Sequence, residues 1–462
     1  MKVSLWGLGA LASAALGTLA VVILQVGSGL LPPLLVGAVI SFLTFLVWPW
    51  SVLPAGILGG YLAAGALAGH NLAVIVIIHA GIVLTGALAI LVRRLLSPDS
   101  ERRFKTVADI PMLVLAAVIV AGACYGLARG NEPYEVVVAT YQLAVIPGYF
   151  FLATYSLGTV RRLRLAGTVF ILGTVGLATA ALPGLGGHVS LFSAMILPTL
   201  LVIVSTVGTW MRAAIVAAVV VLVIDIMLAG YRAVWLASAV VLAIILLRGS
   251  ARLRRGVVTA LGISALVILG SAAFSTDIQR QSTFLTEKLA SSPGYRGPEA
   301  SVGLSVFFDS PFAGQGLGQT TPDVYLPTFQ VTDVGPVYHV FWVGILANLG
   351  LVGILALAWP LVVAVIAGLR ARRDHSTAMT ALTCGFVIAA TFAGPTDGHW
   401  DLGLMPALIL LVTQVGANRN TTPAKEVPPC SSNPRTETAR PPDWVPLPSW
   451  SPTTRPTTSP RA

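Results

Sequence analysis

Residues 256–274, GVVTALGISALVILGSAAF, form an apolar run that contains no charged side chain. A run of this length can cross the roughly 30 Å hydrocarbon core of a bilayer as an α-helix. Comparable runs recur on both sides of it, and the whole chain of 462 residues is 56% hydrophobic and 10% charged. Because an ordinary soluble domain is about a quarter charged, the composition excludes a water-soluble globule. The sequence predicts an all-α, polytopic membrane protein.

The apolar runs predict about fourteen spans, and therefore a bundle of about 12–14 transmembrane helices. The predicted spans are residues 4–25, 29–48, 54–69, 72–92, 110–127, 135–157, 165–183, 191–208, 211–228, 233–247, 256–274, 339–369, 378–394 and 402–416. The third of these spans is short, and it either crosses the membrane or enters and leaves it on the same side.

One long polar segment interrupts the hydrophobic chain. Residues 275–338 far exceed the earlier connections in length, and such loops often carry recognition or chemistry. The chain therefore divides into an N-terminal bundle at 1–274, a large external loop at 275–338 and C-terminal transmembrane helices at 339–416. The tail at 417–462 is rich in Pro and Thr and lacks apolar periodicity, which predicts a disordered cytoplasmic segment.

Positive charges recur in every second connection between spans. They are Arg93, Arg94, Arg102, Arg103, Lys105, Arg161, Arg162, Arg164, Arg212, Arg248, Arg252, Arg254, Arg255, Arg370, Arg372 and Arg373. Because cytoplasmic loops carry the excess of Lys and Arg, we expect a multi-pass protein of the inner or plasma membrane with both termini in the cytoplasm. The net charge of +10 then reflects topology, and nucleic acid is not expected as a partner.

Two helices are predicted inside the external loop. The first, residues 276–289, is amphipathic, carries Arg280 and could lie on the membrane surface. The second begins near Pro298 and ends before Pro311, since proline suits a first helical turn and disfavours helix in the residue before it. Arg296 stands just ahead of the second helix, where the helix dipole and the guanidinium together suit a phosphate. A solvated loop arginine is the alternative interpretation.

The loop continues into a glycine-rich run with Gly314, Gly316 and Gly318. Such a run can cradle a phosphate, but the lysine and the following strand–helix unit of a nucleotide-binding loop are missing, so the signal is weak. The favoured interpretation is a tight turn that brings backbone close to another segment.

Two residues at predicted outer membrane boundaries have the chemistry of a catalytic site. Arg232 opens the tenth span, where an arginine is costly and usually has an anionic partner. It either binds an anion or is a structural residue that snorkels to the interface or pairs with Asp225. His339 heads the twelfth span, where an imidazole suits general base catalysis near neutral pH. An interfacial histidine without a catalytic role is the alternative.

The last predicted outer loop contains Asp397, His399 and Asp401. Their spacing permits metal ligation, but no fourth ligand is evident. A solvated polar loop is therefore favoured over a metal site, and no metal or other cofactor is expected.

The order of these features resembles the O-antigen ligase and O-antigen polymerase family. The family often opens a span ahead of its loop with Ser-Arg, and the similar run here is Tyr231 to Leu236, with Arg232 in the arginine position. The family loop has an arginine, a helix and then a Pro-x-x-G-x-G-x-G turn, to which Arg296 and residues 311–318 correspond.

The run after the loop resembles the family pattern H-N-x-x-L-x-x-L-x-E-x-G-x-x-G. Residues 339–353, HVFWVGILANLGLVG, keep the histidine, one leucine and both glycines. Val340 stands at the usual asparagine and Asn348 at the usual glutamate, while Tyr231 stands at the usual serine of the earlier motif. The resemblance covers the second half of the chain by motif and the first half by hydropathy.

The resemblance implies a metal-independent, inverting glycosyltransferase with the membrane-embedded GT-C fold. Its donor would be a glycan on a polyprenyl diphosphate, and its acceptor a glycan or a lipid at the bilayer. Arg232 and Arg296 would stabilise the leaving diphosphate, and His339 would be the general base. The residues expected to bind substrate are Arg280, Gly314, Gly316, Gly318 and Asn348.

Other functions remain open from sequence alone. Within the family, the chain could polymerise repeat units or ligate a finished glycan. Outside it, the alternatives are a transporter or lipid-linked glycan flippase, for which the chain has few midplane charges and no repeat, and a catalytically inert scaffold.

Overall fold

The computed structural model describes most of the hydrophobic bundle. The described residues are 31–59, 61, 72–96, 105–181, 190–204, 206–228, 231–274, 296–320, 324–326, 329–331, 338, 340–371, 373–391 and 399–421. For 31–35, 72–79, 267–274, 296–298, 324–326, 329–331 and 415–421 only the backbone is described. The predictions for His339, Arg280, Asp397, the first span, the loop helix at 276–289 and the tail beyond 421 lie outside these residues.

The described chain is almost entirely helical. The helices are α1 (Leu31–Val47), α2 (Leu72–Leu96), α3 (Asp109–Ala128), α4 (Pro133–Ser156), α5 (Val160–Ala181), α6 (Ser190–Val204), α7 (Thr209–Leu228), α8 (Arg232–Arg248), α9 (Ala251–Phe274), α10 (Arg296–Asp309), α11 (Phe341–Ala371), α12 (Asp374–Ala389) and α13 (Asp401–Thr421). Twelve of them coincide with predicted spans, and α10 is the second predicted loop helix.

The short third span is irregular where it is described. A 3₁₀ turn at Pro49–Ser51 is followed by one α-helical turn at Val52–Pro54 and a π-helical turn at Ala55–Gly59. This segment packs inside the bundle, with Val52, Leu53 and Ile57 buried. A change of helix type within a few residues often marks a functional or strained position.

Five of the described helices are long and apolar enough to cross a membrane. They are α3, α4, α5, α7 and α11, and residues 36–47, 190–204 and 401–414 form shorter apolar helices. The prediction of an all-α, polytopic membrane protein is confirmed.

Helix α4 forms the centre of the bundle, whereas its neighbours present apolar side chains outward. Tyr149 and Phe150 on α4 are fully buried. By contrast, Leu172 on α5 is 67% exposed, and Leu355 on α11 is also 67% exposed. Exposed apolar faces of this kind are expected where a helix meets lipid chains rather than water.

One end of the bundle collects the positive charge, and we call it the basic end. Ser250, after α8, donates two hydrogen bonds to the Asp374 carboxylate at the start of α12, at 3.1 and 2.7 Å. Gln414 on α13 donates to the carbonyl of Lys105 ahead of α3, at 3.0 Å. The described cations at this end are Arg93, Arg94, Lys105, Arg161, Arg162, Arg164, Arg212, Arg248, Arg252, Arg254, Arg255, Arg370 and Arg373.

The opposite end, which we call the loop end, contains the starts of α8, α11 and α13 and the described part of the external loop. Arg129 and Arg232 lie there among the described cations. The helical part of the loop begins at Arg296, two residues earlier than predicted, and ends at Asp309, ahead of Pro311 as predicted. Arg296 is thus the first residue of α10 rather than the residue before it.

The loop also contains a short antiparallel β-hairpin that the sequence did not predict. Strand β1 (Val324–Leu326) pairs with β2 (Phe329–Val331), with Tyr325 opposite Gln330. Two three-residue strands are too short to give a strong alternating pattern, which explains why the hydropathy signal missed them.

Candidate functional site

Helix α11 is broken near its start, and the break organises the loop end. Gly350 has φ 61° and ψ −157°, so the chain leaves the helical conformation at this residue and resumes it afterwards. In an unbroken helix the carbonyls of Ala347 and Asn348 would accept from N–H groups four residues later. At this break they accept instead from Gln315 N, at 2.9 Å, and from Gly316 N, at 3.0 Å.

The N–H groups on the other side of the break also bond to the loop. Leu351 N donates to the carbonyl of Pro311, at 2.9 Å, and Val352 N donates to that of Phe312, at 3.1 Å. All four backbone groups freed by the break therefore have a partner in residues 310–318, which we call the glycine turn. Because an unpaired buried backbone group costs about as much as a lost hydrogen bond, the break and the turn stabilise each other.

Glycine is required where the turn meets the break. Gly314 has φ 65°, and a Cβ there would lie 2.4 Å from the carbonyl carbon of Asn348. Reciprocally, a Cβ on Gly350 would lie 2.5 Å from the carbonyl carbon of Phe312. Both contacts are with backbone, which cannot move aside as the tip of a flexible side chain can.

The other side of the glycine turn docks on α3 and α4. Leu317 N donates to the carbonyl of Gly122, at 3.0 Å, and Asn131 Nδ2 donates to the carbonyl of Leu317, also at 3.0 Å. Gly316 approaches the backbone of Gly126, on α3, and Gly318 approaches that of Val136, on α4. The turn is therefore wedged between α3, α4 and α11.

Four successive backbone donors of the turn, from Gly314 to Leu317, are already in use. Gly314 N donates to the carbonyl of Ser310, at 2.9 Å, and the next three N–H groups bond to α11 and α3 as described. This is the tight turn that the sequence favours over a phosphate cradle. A direct contact of Gly314, Gly316 or Gly318 with substrate stays a prediction.

Helix α10 lies against the start of α11. Val306 of α10 and Tyr338, Val343 and Ala347 form a small buried cluster, in which a Cβ on Gly303 would touch Val343 and Tyr338. Tyr338 immediately precedes His339 in the sequence. From Gly303, α10 extends by seven residues to Arg296, which corresponds to about 10 Å at 1.5 Å per residue. The backbone of Arg296 and the residue next to His339 thus belong to one packed unit.

Arg232 opens α8 at the same end of the bundle. Its side chain is half-buried, and within the described chain its buried Nη2 has no hydrogen-bond partner. The Asp225 carboxylate, the partner that the sequence offers, accepts a hydrogen bond from Ser193 Oγ, at 2.7 Å, and does not bond to this Nη2. A buried guanidinium donor without a partner is costly, which favours the interpretation that Arg232 binds an anion.

Helix α12 connects the start of α8 to the start of α11. A Cβ on Gly385 of α12 would lie 2.8 Å from the carbonyl oxygen of Ala237 on α8, so the two backbones are in close contact. Beyond the end of α12, Thr391 Oγ1 accepts a hydrogen bond from Trp342 Nε1, at 3.1 Å. Arg232 and the beginning of α11 therefore face the same end of the molecule.

The predicted site residues lie in a part of the chain that resembles a known family. Residues 217–358 match the family model described as O-antigen ligase. The match shows similarity to that family over this stretch. It spans about a third of the chain, from α7 to the middle of α11, and includes every residue of the predicted site.

Comparison with curated proteins and with solved structures finds no match in either set. The GT-C fold that the resemblance implies therefore stays a prediction, whereas the all-α, polytopic architecture is observed.

Asn348 lies at the break of α11, within the stretch that matches the family model. Its Nδ2 donates to the carbonyl of Gly344, at 2.8 Å, while its Oδ1 is buried and has no hydrogen-bond partner among the described residues. A buried carbonyl oxygen of this kind can accept a hydrogen bond from a hydroxyl or an amide. Its contact with substrate stays a prediction.

His399 and Asp401 lie beyond the matched stretch and differ from expectation. Their side chains are buried rather than solvated, His399 Nδ1 lies 3.4 Å from Asp401 Oδ1, and the His399 ring packs on Phe341 with centroids 4.3 Å apart. In the described chain no three His, Cys, Asp or Glu side chains are grouped as metal ligands. Sequence reasoning missed that this imidazole–carboxylate pair packs beside the helix that follows His339; the H-x-D spacing was the available signal.

Proposed function

We propose that the chain is a membrane glycosyltransferase that moves a glycan from a polyprenyl diphosphate to an acceptor hydroxyl during assembly of a cell-envelope polysaccharide. The match of residues 217–358 to the O-antigen ligase family model supports the coarser role in polysaccharide assembly. The observation that carries the finer proposal is the half-buried Arg232, whose buried Nη2 has no partner among the described residues.

The leaving group dictates the need for arginine. When the bond from the sugar to the diphosphate breaks, negative charge develops on the diphosphate oxygens. Guanidinium groups that are already positioned stabilise this charge without reorganisation, and they bind phosphate oxygens in a bidentate geometry. Arg232 supplies one such group, and Arg296, at the N-terminus of α10, supplies a second next to the positive end of the helix dipole.

The acceptor dictates the need for a base. A hydroxyl that attacks the anomeric carbon must lose its proton, and His339 takes it. General base catalysis contributes roughly 10²–10⁴-fold in rate. Direct attack with departure of the diphosphate inverts the anomeric configuration, and the reaction needs neither a metal nor another cofactor.

The glycine turn supports this arrangement by holding α10 against α11. Because the turn bonds to both sides of the α11 break, Arg296 and the residue preceding His339 belong to one structural unit. The apolar spans accommodate the prenyl chain, and Asn348 Oδ1 accepts a hydrogen bond from the substrate in place of the carboxylate that is usual at its position.

The test uses purified full-length protein with a polyprenyl-diphosphate-linked glycan and candidate glycan and lipid acceptors. Wild type is compared with Arg232→Ala, His339→Ala and the control Arg129→Ala. Arg129 is an exposed arginine of the loop end that donates to Tyr125 OH. We expect product from wild type and the control, with or without a chelator, and none from the other two variants. Equal product from all four proteins contradicts the assigned roles.

The proposed location is the plasma membrane, with the loop end outside and both termini in the cytoplasm. The separation of the cations into a basic end supports this orientation, because positive charge marks the cytoplasmic side. In this orientation the loop end, with the proposed site, would meet a lipid-linked glycan displayed on the outer leaflet.

A further inference from the structure

A cavity lies toward the basic end of the bundle, away from the candidate site. Its volume is about 390 Å³, and it is lined by the irregular segment at 49–59 and by α5, α6, α12 and α13. This volume lies within the roughly 300–1,000 Å³ range of ligand pockets. Its walls are overwhelmingly apolar, with Ile57, Phe170, Met195 and Leu404 among them.

The few polar groups of the cavity gather at its basic end. Arg164, near the start of α5, and His375, near the start of α12, both line it and are both exposed. The carboxylate of Asp374, next to His375 in the sequence, has both oxygens bonded to Ser250, at 3.1 and 2.7 Å. Arg164 is exposed and can donate to an anion, and the surrounding arginines of the basic end add to the positive potential.

We propose that this cavity binds an anionic membrane lipid, with one apolar chain between α5, α6 and α12 and the phosphate headgroup against Arg164 and His375. An apolar cavity in a membrane-embedded bundle matches a lipid chain. Basic pockets between transmembrane helices at the positively charged side bind anionic headgroups. A soluble anion would leave the apolar walls uncovered, and a neutral lipid would leave Arg164 without a partner.

The site is separate from the proposed catalytic centre. Asp374 is bonded to the residue that follows the end of α8, whereas Arg232 stands at its beginning. Helix α8 has 17 residues, which corresponds to about 25 Å at 1.5 Å per residue. The lipid is therefore a structural or regulatory ligand of the basic end rather than the glycan donor, and the proposal does not depend on the proposed function.

One pair of variants tests the apolar part of the site. Gly167 lines the cavity, and a Cβ there would meet no atom within 4 Å, so Gly167→Phe adds a bulky side chain to the cavity wall at a position with room for its first carbon. Gly176, on the same helix, also has open space around a Cβ but does not line the cavity, and Gly176→Phe is the matched control. A second pair, Arg164→Gln and Arg161→Gln, removes the same charge from inside and outside the site.

The measurements are lipid retained after detergent extraction, by native mass spectrometry, and the shift in unfolding temperature on adding phosphatidylglycerol or phosphatidylcholine. A ligand that binds only the folded state raises the unfolding temperature by mass action. We expect wild type and both controls to retain lipid and to be stabilised more by phosphatidylglycerol. Gly167→Phe should lose both effects, and Arg164→Gln should lower the apparent affinity by roughly tenfold, as expected for a lost charge-assisted hydrogen bond.

Two results would overturn the proposal. If Gly167→Phe retains as much lipid as Gly176→Phe, the cavity is not the binding site, as would happen if another segment of the chain occupied it. If the two lipids stabilise wild type equally, or if Arg164→Gln behaves like Arg161→Gln, the occupant is not selected by its charge.

Discussion

At the scale of single residues, the structure separates stability from function most clearly at Arg232. The buried Nη2 of its half-buried guanidinium has no partner within the described part of the chain, so this donor forms no hydrogen bond that stabilises the fold there. Replacing a buried charge by an apolar side chain of similar size is often neutral or stabilising. Residues kept despite such a cost usually serve a binding or catalytic role.

We therefore predict that Arg232→Met unfolds at a temperature no lower than that of wild type and yet forms no glycan product. Arg232→Lys should keep the charge but lose the bidentate geometry, and we expect its turnover to fall by at least about tenfold. Thermal unfolding and product analysis of the same preparations check both expectations. A clear loss of stability in Arg232→Met would indicate a structural arginine instead.

Gly314, unlike Arg232, should be required for the stability of the fold as well as for activity. Its positive φ of 65° costs an L side chain about 1–2 kcal/mol, and the clash with the Asn348 backbone, at 2.4 Å from an added Cβ, adds to that cost. We predict that Gly314→Ala lowers the free energy of unfolding by more than about 1–2 kcal/mol and lowers activity with it. Gly176→Ala, in open space on α5, is the control and should be neutral or slightly stabilising. Denaturant titration in detergent measures both.

Some features of the loop end were predictable from the sequence, and others were not. The glycine run was recognised as a tight turn, because glycine spacing is a local signal. Its partner at Gly350 was not recognised, since the break in α11 exists only through hydrogen bonds to residues some 35 positions earlier. His399 was expected in solvent, and it is buried because Phe341 packs on it. Such tertiary contacts leave no periodic trace in the sequence.

At the scale of elements, α10, the glycine turn and α11 form one cooperative unit. The turn satisfies the four backbone groups freed at Gly350, and Val306 of α10 packs into the cluster around Tyr338. The end of α10 was predictable from Pro311, since proline signals are local, whereas its start lies two residues before the one that Pro298 predicted. The route by which the loop returns to α3 was not predictable, because it depends on Gly126 admitting the backbone of Leu317 and on Gly122 admitting the side chains of Leu349 and Leu317.

The unit predicts a coupling between distant glycines. Gly314→Ala and Gly350→Ala each disrupt the same backbone hydrogen bonds between the glycine turn and the α11 break. The loss of unfolding free energy in the double variant should therefore be smaller than the sum of the losses in the two single variants. Residues that share such a network typically couple by about 0.5–3 kcal/mol. A double-mutant cycle of unfolding free energies measures this coupling, and a cycle of Gly314→Ala with Gly176→Ala provides the reference. Additive effects in the first cycle would show that the turn and the break act independently.

At the scale of the whole molecule, the arrangement of charge was the best predicted feature. The recurrence of arginines in every second connection can be read from the sequence alone. The described helices place the described members of that set at one end of the bundle. The sequence could not show that the other end is closed by a loop that bonds into α3, α4 and α11. The proposed transfer reaction requires this end to face the compartment in which the lipid-linked glycan is displayed.

The orientation can be tested with single cysteines in a background in which Cys124, Cys384 and Cys430 are replaced by serine. Arg129→Cys places an exposed thiol at the loop end, and Arg254→Cys places one at the basic end. In intact cells we expect a membrane-impermeant maleimide to label the cysteine at 129 at once and that at 254 only after permeabilisation, because positive charge is retained on the cytoplasmic side. The reverse labelling would place Arg232 and α10 in the cytoplasm, where a glycan displayed on the outer leaflet could not reach them, and would rule out the proposed transfer.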